Sequence, residues 1–213
     1  MGAVFQEVKR VLKQNGHLWV VVGYSNVNPW VAIDIAQVIR PIMVLQNQFT
    51  WVKSIAIDGV QKGHYKPINS KRFANPVWEY VFHFTKTGSI SCDRESIGVP
   101  YVYKCNIKRF SRNSDLHCAG NAWFIPYQTI VSKDTRGRHP ATFPEELVER
   151  CIKFSGITTG TLLDPFMGTG TSGVAGIRCG LDVIGYDISK DYCSFSRSRI
   201  SKEMGLDKFL STP

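Results

Sequence analysis

Closely spaced cysteine pairs are missing from this sequence, and so are two adjacent prolines, any internal repeat and any low-complexity segment. No stretch approaches the roughly 18 uninterrupted apolar residues that a membrane-spanning helix needs. The first residues, "MGAVFQEVKRVLKQNG", scatter charges at helical spacing and have no basic tip followed by an apolar run, which does not read as a secretory leader. A cytoplasmic protein is therefore expected. Cys92, Cys105, Cys118, Cys151, Cys179 and Cys193 are all far apart. Metal sites usually draw ligands from close pairs, so even with His117 beside Cys118 the expectation is free thiols and no metal.

Acidic residues are also scarce. Seventeen Asp and Glu face 26 Lys and Arg, giving a formal charge of +9 and a pI near 9.3. That excess favours a polyanionic partner. Much of it falls between residues 104 and 138, where Lys104, Lys108, Arg109, Arg112, Lys133, Arg136 and Arg138 are interleaved with Tyr101, Tyr103, Phe110, Trp123, Phe124 and Tyr127. Basic groups can neutralise phosphates while aromatic rings stack on bases. A solvated loop whose aromatics belong to the core would look the same at this level.

The 213 residues, 43% of them hydrophobic, suffice for one sizeable core or a core with an appended lobe. Val4, Phe5, Val8, Val11 and Leu12 share a helical face that Asn15-Gly16 ends, and "HLWVVVG" then reads as a buried strand. Asn28-Pro29 opens a second helix that Pro41 ends, and "NQFTWVK" and "VWEYVFHF" are strand-like. From Thr87 to about Ile130 no long period persists, which predicts a loop-rich insert. Beyond it Pro144 begins a helix, followed by the strand "TLLD", a glycine loop and helix, the strand "DVIGYD" and a last helix. This alternation predicts an α/β fold with a mostly parallel sheet and helices on both faces.

The stretch "LLDPFMGTGTSGVAG" carries the chemistry. Glycines ahead of a helix let backbone approach a ligand, and a helix N-terminus favours negative charge. A dinucleotide's pyrophosphate would gain from both, but Asp164 at the strand tip would repel it. S-adenosylmethionine has no phosphate and carries an ammonium and a sulfonium, for which the same acid is favourable. Asp187, at the end of the next strand, stands where nucleotide-binding α/β folds place a carboxylate for the ribose hydroxyls. Each acid could instead cap a turn.

"HPATFP", "LLDPFMGTGTS", "VIGYD" and "DYCSFSRSRI", in that order, resemble the amino-methyltransferases of DNA, in the circularly permuted group whose catalytic motif precedes the cofactor motif. "EVKRVLKQNGHLWVVVG", "LQNQFTWVKS", "HYKPINSKRFANPVWEYVFHFTKTG" and "GNAWFIPYQTI" resemble the middle of such enzymes, so the likeness covers nearly the whole chain. It implies a Rossmann-like S-adenosylmethionine-dependent methyltransferase sheet with a target-recognition insert. Its divisions would be a catalytic-domain portion over 1–86, the insert over 87–130 and a cofactor-binding portion over 131–213.

The resemblance further implies that Asp164, Pro165, Phe166, Gly168, Gly170 and Thr171 surround the methionine end of the cofactor and that Asp187 holds the ribose. His139 and Pro140 would open the segment that closes over it. Double-stranded DNA would be the partner, through Lys104, Lys108, Arg109, Arg112 and Arg136.

Such enzymes orient the target amine with an Asp/Ser/Asn-Pro-Pro-aromatic loop, and no such string occurs here; "VNPW" has a single proline. The family order would put that loop before the first helix. The expectation is hence a chain that starts inside the domain, through truncation, division between partner chains or decay. No catalytic residue is assigned, methyl transfer to cytosine N4 is favoured over adenine N6, and a restriction-modification context is implied. A non-catalytic DNA- or cofactor-binding remnant is the second reading. A nicotinamide-dependent oxidoreductase is a remote third, since it would need more strands after Asp187 than the tail provides.

Overall fold

The computed structural model describes residues 1–64, 67–126 and 143–205, in two compact units, Met1–Tyr127 and Gln128–Pro213. Arg136, His139 and Pro140 lie outside the described residues.

The first unit runs α1 (Gly2–Val11), β1 (His17–Val22), α2 (Val31–Ile39), β2 (Val44–Val52), β3 (Ser54–Ile57), β4 (Val60–Gly63) and β5 (Trp78–Thr85). Then come β6 (Val99–Pro100), α3 (Cys105–Arg109), β7 (Leu116–His117) and β8 (Ala122–Phe124). Its main sheet has the order β1-β5-β2-β8. β5 is antiparallel to both neighbours, whereas β2 and β8 are parallel. A mostly parallel sheet was the expectation, and here the structure differs. Among the described residues no crossover helix separates β2 from β5, and a parallel partner needs one, so the chain returns alongside itself. α2 does separate β1 from β2, which accordingly run the same way with β5 between them.

Alternation along the strands gives the sheet two characters. On one face Leu18, Val20, Val22, Tyr80, Phe82 and Phe84 meet Phe5 of α1 and Ala32 and Ile39 of α2. Burying a phenylalanine side chain contributes roughly 1.5–3 kcal/mol, so Phe82 and Phe84 dominate this layer. The opposite face carries Trp19, Phe49 and Trp123 in mutual ring contact, with His83 stacked on Trp19 at 4.3 Å. His83 also meets His17, Nε2 to Nδ1, at 2.8 Å and Asn47 Nδ2 at 2.9 Å. Burial, reinforced by His17, pushes the His83 imidazole down to about 3, and burial lowers His17 as well.

A hairpin that the sequence reading passed over, β3 with β4, turns at Asp58-Gly59, both with positive φ. The insert is as loop-rich as expected and makes a small finger in which β6 pairs with β7 and α3 lies between them. Its final strand, β8, is drawn into the main sheet beside β2.

The second unit comprises α4 (Glu145–Ser155), β9 (Thr161–Asp164), α5 (Thr171–Arg178), β10 (Asp182–Gly185) and α6 (Lys190–Glu203). Pro144 precedes α4 with φ −70°, Glu145 and Glu146 occupy the first turn, and Gly156 ends the helix at φ 67°. That is the proline-start, glycine-stop asymmetry of a well-bounded helix. β9 and β10 are parallel, joined through α5, with Asp164 opposite Gly185.

Candidate functional site

The paired tips of β9 and β10 carry the two acids singled out from sequence. Pairing continues past the strands, since Tyr186 N donates to Asp164 O at 2.9 Å and Met167 N donates to Tyr186 O at 2.8 Å. The glycine loop is thereby folded back across the end of β10.

Both carboxylates then grip that loop. Asp164 Oδ1 accepts from Phe166 N at 2.8 Å, and its Oδ2 accepts from the Ser172 hydroxyl at the start of α5. Asp187 Oδ2 accepts from Gly168 N at 2.8 Å, and its Oδ1 accepts from Ser189 N at 2.8 Å. Two amides of the loop ahead of α5, Phe166 N and Gly168 N, are thus already taken by the protein's own acids, whose charge disfavours a phosphate there. Each carboxylate oxygen keeps a further lone pair for an external donor.

Close packing holds the loop from below. Gly170 has φ 84°, and a Cβ there would stand 2.7 Å from Ser196 Cβ of α6. Gly185 leaves room for Met167, whose Cε would be 2.1 Å from an added Cβ. Arg199 Nη1 donates to Thr169 O at 2.8 Å while its Nη2 reaches Glu145 Oε1 at 2.6 Å. Arg178 grips Glu203 through two nitrogens, at 2.7 and 3.0 Å, and Glu145 through a third contact at 2.5 Å. These carboxylates, Glu203 first, raise the Arg178 pKa above its ordinary value. The helices α4, α5 and α6 are tied together around the loop.

Asp164, Pro165, Phe166, Gly168, Gly170, Thr171 and Asp187 are therefore brought together, with Phe166, Tyr186 and Ile188 exposed along the rim. Sequence reasoning missed Ser172, Met167 and Arg199. The serine was legible as a hydroxyl at the helix start, eight residues after Asp164; the partners of Met167 and Arg199 come from β10 and the loop and leave no local signal.

In the first unit, Lys104, Lys108, Arg109 and Arg112 gather in and on either side of α3, all exposed, with Val102, Tyr103 and Phe110. Lys104 is paired with Asp115, and Arg112 stands 3.9 Å from Glu95. The Arg109 guanidinium lies over the Phe110 ring, 5.5 Å from its centroid. Among the described residues no acid pairs with Lys108 or Arg109. Asn28 to Trp30 sit in the loop after β1, where Ser25 Oγ accepts from Asn28 N and Trp30 is exposed.

Comparison with known proteins follows the same lines. Residues 1–198 match the family described as DNA methylase, N6_N4_Mtase. The type II methyltransferase M.ScaI of Streptomyces caespitosus is 26% identical over 209 residues, 92% of this chain and 64% of its own length. The chain thus spans a little under two thirds of that relative. The PvuII DNA methyltransferase, cytosine-N4-specific, superposes with a TM-score of 0.68 at 18% identity, over 96% of this chain and 73% of its own. TTHA0409 of Thermus thermophilus, complexed with S-adenosyl-L-methionine, gives 0.60 at 24% identity, over 95% and 75%. These likenesses establish a Rossmann-like methyltransferase fold.

Removing the Ser172 hydroxyl, which leaves one oxygen of Asp164 without its internal donor, is expected to cost Ser172→Ala about 1.5–3 kcal/mol in urea denaturation. Gly170→Ala, forced to positive φ against Ser196, should be at least as destabilising, by about 2 kcal/mol or more.

Proposed function

The chain belongs to the DNA methylase family, and from that premise we propose that it forms the cofactor-holding and DNA-contacting part of an S-adenosylmethionine-dependent DNA amino-methyltransferase. The observation that carries this reading is the pair of acids at adjacent strand tips, each hydrogen-bonded to the glycine loop. A ligand entering there meets carboxylates where a dinucleotide would need bare amides. An ammonium and a sulfonium suit that field, and ribose hydroxyls can donate to the remaining lone pairs.

In this assignment Asp164, with Pro165, Phe166, Gly168, Gly170 and Thr171, faces the methionine end, and Asp187 takes the ribose. The exposed side chain of Ile188, beside Asp187, offers apolar surface for the adenine. His139 and Pro140 keep their assigned place over the cofactor by resemblance alone. The bound cofactor supplies the activated methyl group; the chain's residues hold and orient it.

The divisions 1–86, 87–130 and 131–213 then serve as sheet support, target contact and donor binding. Contact with double-stranded DNA is assigned to the finger around α3, where Lys108 and Arg109 are exposed beside Tyr103 and Phe110. The acceptor amine is an exocyclic base nitrogen. We favour cytosine N4 over adenine N6, and the PvuII enzyme, a structural neighbour, bears the name cytosine-N4-specific. Orienting that amine requires a polar residue and an aromatic ring, and this sequence has no Pro-Pro string that supplies them in the family's usual form.

Asp164→Asn is the discriminating test of donor binding. An amide can still accept from Phe166 N and donate to the Ser172 oxygen, so the loop stays folded while the charge is lost. Titration calorimetry should show S-adenosylmethionine affinity falling about ten- to hundredfold in Asp164→Asn and in Asp187→Ala. Unchanged affinity in both, with wild-type urea stability, would remove the reading.

DNA binding should weaken with salt, and each true phosphate contact contributes roughly 0.9 to the slope of log affinity against log salt. Lys108→Ala and Arg109→Ala should each lower the slope by about that much. Lys104→Ala and Arg112→Ala should lower it less, because Asp115 and Glu95 already hold those groups. Slopes unchanged from the parent in all four variants would mean that the finger does not touch DNA.

Finally, the purified chain should incorporate no methyl group from tritiated S-adenosylmethionine into mixed-sequence duplex DNA, while a version bearing an upstream Pro-Pro-aromatic loop should. Robust incorporation by the chain itself would point to Asn28–Trp30 as the acceptor loop.

A further inference from the structure

On the main sheet's face opposite α1 and α2, His17 of β1, His83 of β5 and Cys92 of the following segment each bring one ligand atom to within 4.8 Å of the other two. Their separation in the chain concealed this, and the sequence reading assigned no metal. We propose that His17, His83 and Cys92 form a binding site for a divalent transition metal, zinc in the first instance, with a fourth position left for water.

The site is built. β2 carries a register shift between Leu45 and Asn47, and Gln46 at that irregularity clamps the segment that holds the thiol. Its Nε2 donates to Ile90 O at 2.6 Å and approaches Cys92 Sγ at 3.5 Å. Its Oε1 accepts from Thr85 Oγ1 at 2.9 Å and from Ile90 N at 3.1 Å. Asn47, just past the irregularity, holds the far side of the His83 ring. Trp19 covers one face of that ring. His83 is fully buried, while His17 and Cys92 are half-buried and open the cluster to solvent.

The chemistry matches the donors. Tetrahedral zinc bonds nitrogen at about 2.0–2.1 Å and thiolate sulfur at about 2.3 Å, which puts ligand atoms about 3.3–3.6 Å apart. His17 Nδ1 and His83 Nε2 stand 2.8 Å apart, so the ion would replace the proton they share, and Cys92 would close by rotation of its side chain. Without metal, Asn47 Nδ2 donates to His83 Nδ1, and His83 Nε2 then donates to His17 Nδ1. On binding, the His83 proton moves from Nε2 to Nδ1. The Asn47 carboxamide turns to offer Oδ1 to that N–H, the outer-shell contact usual for a ligating imidazole. The Cys92 thiol releases one proton to solvent, leaving a complex of two neutral imidazoles and one thiolate. Half-burial raises the Cys92 thiol and opposes that step, while Arg94 favours it.

The test uses the full chain, freed of metal with a chelator and shown to be folded by circular dichroism and a cooperative urea transition. Titration with cobalt(II) should give, at one equivalent, tetrahedral visible bands and a near-ultraviolet thiolate-to-cobalt charge-transfer band, both removed by zinc. Cys92→Ser should lose the charge-transfer band and keep its fold. His17→Gln should bind at least tenfold more weakly. Cys105→Ser and Cys118→Ser should behave like the parent. The proposal is overturned if the folded parent gives no charge-transfer band, if the band survives in Cys92→Ser, or if it disappears in Cys105→Ser or Cys118→Ser.

Discussion

The grip of Asp164 and Asp187 on the glycine loop is the constraint from which the second unit's architecture follows. Parallel pairing of β9 with β10 sets the two acids side by side, and each then binds an amide of the loop at 2.8 Å. With the loop fixed at those points, α5 must begin close against α6, and only small side chains fit there: Gly170 faces Ser196 and Gly173 faces Ile200. The small-residue run "GTGTSGVAG" is thus explained by helix contact as much as by ligand approach. Charge completes the arrangement. Two carboxylates at a helix entrance are favourable to the helix dipole and unfavourable to any anionic ligand.

What could be read in the sequence was what depends on neighbours in the chain. The amphipathic faces of α1 and α4, the aromatic strands β2 and β5, and the acids at strand tips all carry local signatures. The antiparallel placement of β5 between β1 and β2 does not, because strand order is decided by which buried faces meet. The β3–β4 hairpin was legible through Asp58-Gly59, a dipeptide suited to positive φ at both turn residues, and was passed over. Arg199 sits in a string read as family likeness, yet its contacts with Thr169 O and Glu145 span 30 and 54 residues. No periodicity reports such a partner.

Net charge is a poor guide to the insert unless geometry corrects it. The run reads from sequence as an excess of positive charge, but Asp115 takes Lys104, and Glu95, earlier in the chain, returns beside Arg112. Exposed pairs of this kind are worth at most about 1 kcal/mol. Such pairs can therefore exchange for phosphate at small cost, and act to orient the side chains beforehand. Lys108 and Arg109, with Tyr103 and Phe110, remain as the exposed face of the finger.

The finger itself is mounted on one strand. Gln46 holds Ile90 near the start of the insert, and Asn121 holds its end, donating from Nδ2 to Gln48 O at 3.1 Å and accepting from Thr50 N at 2.8 Å. β8 then pairs with Thr50 to Val52. Both ends of a segment of about thirty residues are therefore fixed to β2 within a few residues of each other, which removes most of the freedom that a loop of that length would have. Hydrocarbon at Gln46 and Asn47 would leave Ile90 N, Ile90 O and His83 Nδ1 without these partners, at about 1–3 kcal/mol for each group left buried and unpaired. These side chains also give direction: an amide at Gln46 can select one backbone segment, Ile90, where a leucine would accept any. The polar seam at the start of the insert thus converts a loop that the chain's periodicity leaves undefined into one with a fixed origin, from which the basic finger is presented.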